Sequence, residues 1–228
     1  MLIFFLQGII NLYYAGHLGD KNILAAIGLS QMLTNCVVET LFFSLNCSQE
    51  TLVSQAFGAG NIINCGVYLN RGTISIIIAW LLVCIVFLQC ESILIFFGQD
   101  PIVSSYTQTY INYQLPAILI YGLSDLNRKF LNSFRKNIIP LISFTIAVSI
   151  HPFWIDQLKD LGIVGISISS IVTNSFTFIL LKIFIGASGD LKEVRTSICD
   201  NRTLDLRYYW SLAVPFMIVV LLENWVWE

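Results

Sequence analysis

The sequence predicts an all-α, polytopic transmembrane helix bundle of six to seven helices, and three observations predict it. Apolar residues make up 56% of the chain and charged residues only 11%, at a mean hydropathy of +0.76, whereas soluble domains carry about 25% charged residues. Apolar runs near the ~20 residues that cross a bilayer core recur at 23–49, 66–90, 103–124, 138–155, 162–186 and 208–228, with a shorter run at 1–16. The basic residues fall to one side. With the N-terminus in the cytoplasm, the inner connections and their helix ends hold ten lysines and arginines, and the outer ones hold only Lys21 and Lys159.

Taken in order, the first run places Gln7 and Asn11 one helical turn apart, so both can line a polar cavity. Gly16 and Gly19 around His17 then permit an outer reversal, with His17 as a hydrogen-bonding turn residue. The second run carries Glu39 in its middle, an acid to which the sequence gives no evident role, and ends at the tight turn Gly58-Ala59-Gly60. The third run leads to SILIFFGQDP (92–101), too short to span and read as an outer re-entrant or interfacial turn stopped by Gly98 and Pro101. In the fourth, Asp125 lies within reach of Arg128 and Lys129 and reads as an ion-paired helix end. His151-Pro152 reads first as a kink in the fifth, and Asn174 sits mid-span in the sixth, where it can join the polar cavity. The connection 188–207 is the longest and most polar, a linker between two lobes. The first run is short and no loop follows the last, so both ends read as cut.

The last run, LAVPFMIVVLLENWVWE (212–228), sets Glu223 and Glu228 among Trp225 and Trp227, downstream of Pro215. A carboxylate in hydrocarbon costs several kcal/mol, so an acid there is a functional-site candidate. Pro215 has no N–H for the carbonyl of Ser211 and serves as a hinge. Glu223 and Glu228 are the expected proton-coupling acids. Trp225, Trp227, Gln7, Asn11 and Asn174 are the expected substrate contacts, the indoles offering cation–π faces.

Other chemistries find no support. The six cysteines show no CxxC or Cys/His spacing, so no metal site is expected. A net charge of −2 gives no basis for nucleic-acid binding. Neither a nucleophile elbow nor a phosphate-binding glycine loop is present, and no cofactor is called for.

Six short stretches, in order, resemble the multidrug and toxic compound extrusion (MATE) family in its eukaryotic branch. They are AGHLGDKNILAAIGLS (15–30), ETLVSQAFGAGN (50–61), ILIFFGQDPIV (93–103), YINYQLP with RKFLNSFRKNIIP (110–140), DLGIVGISIS (160–169) and the closing run. Ser54, Phe134, Ser167 and Ser169 depart from the family pattern, which has Gly, Gln and two alanines there. The resemblance implies a fragment of a twelve-helix, two-lobe transporter: residues 1–187 as the N-terminal lobe, 188–207 as a cytoplasmic linker and 208–228 as the start of helix seven. It further implies a monomeric antiporter in the lipid bilayer of a plasma or vacuolar membrane. Such a protein exports organic cations or other amphipathic small molecules in exchange for protons, with sodium the second choice. The rivals are a lipid-linked precursor flippase of the same superfamily and a seven-helix receptor.

Overall fold

The computed structural model describes the backbone of residues 2–188, 203 and 205–227, and the side chains of 6–188, 203 and 205–223. Within them the chain forms eight helices: α1 (Leu2–His17), α2 (Lys21–Gly58), α3 (Ile62–Phe87), α4 (Cys90–Phe96), α5 (Pro101–Ser133), α6 (Ile138–Leu158), α7 (Ile163–Ala187) and α8 (Arg207–Trp227). Their starts carry local signals. The Asp20 carboxylate accepts from the Asn22 N–H at 2.8 Å, and the Asn61 side chain accepts from Asn64 N–H at 3.2 Å. Asp100 accepts from the N–H groups of Ile102 and Val103, with Pro101 at the first helical position, where its missing N–H costs nothing.

All seven expected runs are helical. The stretch after Cys90 is the short helix α4, closed by Gly98 at φ 84°, a left-handed turn that favours glycine. Phe96 and Phe97 at its C-terminal end are 85% and 75% exposed, which suits the bilayer interface. Two expectations need correcting. Asp125 is ion-paired with Arg128 but stands inside α5, eight residues before its end and buried; it also accepts from Asn46 Nδ2 at 2.8 Å. Pro152 does not interrupt α6, which runs unbroken through it, and His151 is a fully buried hydrogen-bonding residue.

α5 is the axis of the bundle. It packs on α7, α2, α3 and α4, while α6 backs α7, α1 leans on α2, α6 and α7, and α8 lies along the second half of α2. Four helices, Lys21–Gly58, Ile62–Phe87, Ile138–Leu161 and Ile163–Ala187, are long and apolar enough to cross a membrane. α5, at 33 residues, is long enough but too polar. Its Thr107, Asp125, Asn127 and Lys129 are buried among the surrounding helices rather than set against lipid.

Polarity is inverted relative to a water-soluble bundle. Leu82, Ile85, Ile142, Ile179, Ile183 and Val219 are exposed, whereas Ser44, Ser48, Gln49, Ser75, Ser167 and Thr173 are buried. Apolar surface is stable against acyl chains, and most of these buried hydroxyls answer their own helix: Ser167 donates to Ile163 O at 3.2 Å and Ser169 to Gly165 O at 2.8 Å. That is how serines replace the family's alanines. Phe134, where the family has Gln, closes an aromatic trio with Phe57 and Phe130 at centroid distances of 4.6 and 4.9 Å.

Candidate functional site

A cavity of about 250 Å³ opens between α1, α2, α5 and α7. Each helix contributes polar side chains at i, i+4, the spacing that puts two residues on one face. α1 brings Gln7 and Asn11, α2 Asn35 and Glu39, α5 Tyr110 and Gln114, and α7 Ser170 and Asn174. On α2 the pair sits in a π-helical segment, Thr34–Glu39, whose wider turn interrupts the regular α-helical register. Aliphatic side chains such as Leu12, Val38, Ile111 and Ile118 fill the rest of the wall.

Glu39 is the one carboxylate among the lining residues, and no lysine or arginine lines the cavity with it. The Tyr121 hydroxyl donates to Glu39 Oε1 at 3.4 Å. The amides are held in place: Gln31 Nε2 donates to Gly8 O at 3.0 Å and Asn174 Nδ2 to Ala117 O at 3.3 Å. Asn11 Nδ2 faces Ser170 Oγ at 3.1 Å and the Tyr110 hydroxyl at 3.4 Å, and its Oδ1 meets His151 Nε2 at 2.8 Å behind the wall. A negative pocket with hydroxyl, amide and aliphatic surfaces can hold a small organic cation that has both polar and apolar parts.

The structure places Gln7, Asn11 and Asn174 together on this cavity. Glu223 lies exposed on α8, outside the lining set, and Pro215 is exposed within the same continuous helix. The side chains of Trp225 and Trp227, and the whole of Glu228, lie outside the described residues. Glu39 went without a role in the sequence, although the rule that singles out Glu223, an acid inside an apolar run, applies equally to it.

The MatE family profile matches residues 1–155. The chain belongs to the MatE family. It is similar to the multidrug and toxin extrusion protein 1 of Oryctolagus cuniculus, at 28% identity over 232 residues that cover all of this chain and 40% of that protein. The Arabidopsis thaliana protein DETOXIFICATION 16 matches at 25% identity over 232 residues, covering 47% of its length. The chain thus spans less than half the length of these relatives. In fold it is similar to the eukaryotic MATE transporter AtDTX14, at a TM-score of 0.90 and 22% identity, covering 98% of this chain and 50% of that one. The Vibrio cholerae MATE transporter VcmN in its bent form follows at a TM-score of 0.82 and 17% identity. This MatE chain is an integral, multi-pass membrane protein of a family of transporters rather than of enzymes.

Proposed function

We propose that this protein is a secondary antiporter that exports small organic cations or other amphipathic molecules in exchange for protons by alternating access. One observation carries the reading: the cavity among α1, α2, α5 and α7 has Glu39 as the one carboxylate among its lining residues, inside a wall of amides, hydroxyls and aliphatic carbons. A carboxylate shielded from bulk water attracts a cation far more strongly than one in water, because the local dielectric is low. The same wall disfavours a phosphate-bearing lipid head group, which needs lysines or arginines. Glu223 on α8 keeps the coupling role given by its place in an apolar run, with Glu228 as second acid, Trp225 and Trp227 as aromatic contacts and Pro215 as hinge. The excess of basic residues on alternate connections supports a cytoplasmic N-terminus. The reading extends to a monomer in a plasma or vacuolar membrane.

The test is counter-transport of a labelled organic cation by the full-length protein in proteoliposomes carrying a proton gradient. Efflux driven by protons, lost in Glu39→Gln and in Glu223→Gln while both variants still insert, is the expected result. Uptake that ignores the proton gradient, or normal efflux by both variants, overturns it.

A further inference from the structure

We propose that His151 is a proton-binding residue of this bundle, and that a half-turn of the Asn11 amide passes its protonation state to the cavity. His151 is fully buried on α6, and each ring nitrogen has one partner: Nε2 lies 2.8 Å from Asn11 Oδ1 and Nδ1 lies 2.8 Å from Thr173 Oγ1. The partners' own bonds decide which way the protons point. Thr173 spends its only hydroxyl proton on Ser169 O at 2.9 Å, so its oxygen is an acceptor toward the ring. Asn11 turns its NH₂ to Ser170 Oγ and Tyr110 Oη, leaving its carbonyl oxygen for His151. Two acceptors therefore face the two ring nitrogens, and only the imidazolium, with a proton on each, donates to both.

A neutral ring fits the same cage once the amide and two hydroxyls turn. If the Asn11 amide turns by half, its NH₂ donates to the bare Nε2, Nδ1–H still donates to Thr173, and the Asn11 oxygen accepts from the Tyr110 hydroxyl and from Ser170, whose proton leaves Ile166 O at 3.2 Å. Tyr110 accepts from Gln114 Nε2 at 2.9 Å in either state. The proton exchanged is one taken from cavity water onto Nε2 and returned there. No other covalent bond forms or breaks. With the ring neutral, Asn11 offers an oxygen on the cavity side, which favours a cation. With the ring charged, it offers an NH₂, backed by a full positive charge, which disfavours one.

The groups about the ring leave this charge free to act. α1 brings Asn11, α5 brings Tyr110, and α7 brings Ser170 and Thr173, none of them ionic at neutral pH. Across the cavity stand Glu39 and Tyr121, and farther along α6 Asp156 pairs with Tyr14. Proton and cation thus compete through a single side chain. The competition rests on the cavity being the cation site, as proposed above; the titration of the ring does not.

The experiment is ¹⁵N NMR of the protein in lipid nanodiscs with histidine ring nitrogens labelled, the His151 signals being identified by their loss in His151→Gln. The ring is expected to convert from a neutral tautomer to imidazolium on acidification, and tetraethylammonium at fixed pH to lower the imidazolium fraction. By linkage, that cation should bind the parent roughly tenfold more weakly when the ring is charged. His151→Gln, whose amide still reaches Asn11 but takes no proton, should bind at the parent's high-pH strength with the pH dependence gone. A ring that stays one neutral tautomer at every pH overturns the proposal, as does unchanged pH dependence in His151→Gln. A ring that titrates, with its titration displaced in Asn11→Leu, while no tetraethylammonium binds at any pH, upholds the proton site and overturns the cation reading of the cavity.

Discussion

Glu39 and Glu223 are both acids in apolar runs, and the sequence alone ranks them by their neighbours. Trp225, Trp227 and Pro215 drew attention to Glu223, while Glu39 has Val38, Thr40 and Leu41 beside it and nothing local to mark it. Its partner Tyr121 and the amides of α1 and α7 that line the same cavity come from other helices, so only the folded bundle assembles them. Gln7, Asn11 and Asn174 were legible because a polar side chain mid-span must face other protein. His151 was not, because the adjacent Pro152 offered a sufficient local explanation. If Glu39 supplies the cavity's charge, Glu39→Gln should weaken binding of tetraethylammonium by at least about tenfold, the loss of ~1.4 kcal/mol of attraction at a shielded site. Glu39→Asp should keep part of it. Equilibrium binding in detergent or nanodiscs measures this directly, and equal affinity in all three would remove Glu39 from the site.

At the scale of elements, the helices followed from apolar run length, and their starts from Asp20, Asn61 and Asp100-Pro101. The polarity of α5 was less transparent. Its buried Asp125, Asn127 and Lys129 made the sequence end that span near residue 124, yet the helix continues to Ser133 because neighbouring helices, not lipid, receive those side chains. The crossing of α2 and α5 depends on Gly122. A Cβ there would lie 2.5 Å from the Phe42 ring, closer than carbon atoms pack. Gly122→Ala should therefore destabilise the bundle by ~1–3 kcal/mol through overpacking. Phe42→Leu in the same chain should recover part of the loss, a rescue that thermal unfolding in detergent would register. The π-helical turn at Thr34–Glu39 has no sequence signature of its own, and it brings Thr34, Asn35, Val38 and Glu39 to the cavity wall. Deleting Asn35 would let the segment close as a regular α-helix, since a π turn takes up one extra residue, and would reshape this wall while the later residues of α2 keep their faces. Cation binding should fall to background while the apolar faces of α3 and α7 still fold.

For the molecule as a whole, the inverted polarity and the axial α5 belong to a bundle that lipid surrounds and that keeps its hydrophilic groups for its own interior. Among its described side chains, α8 joins that interior at the end nearer Arg207. Tyr209 is fully buried and donates to Leu45 O at 2.6 Å, and Ala213 is buried above it, while Ile218, Val219 and Leu222 farther along are exposed. The anchored end is thus the one nearer Arg207, and the orientation of the whole chain fixes which membrane face that is. With the N-terminus in the cytoplasm, as proposed from ten basic residues against two, the 134–137 and 59–61 turns and the start of α8 would face the cytoplasm and the 97–100 turn the outside. In a background with its cysteines replaced, single cysteines at Gln99 and at Lys136 separate the two orientations. An impermeant maleimide added to intact cells should label the Gln99 position at once, and the Lys136 position only after the membrane is opened. The reverse pattern would invert the molecule, put the anchored end of α8 on the outer face, and exchange the sides from which cation and proton reach Glu39.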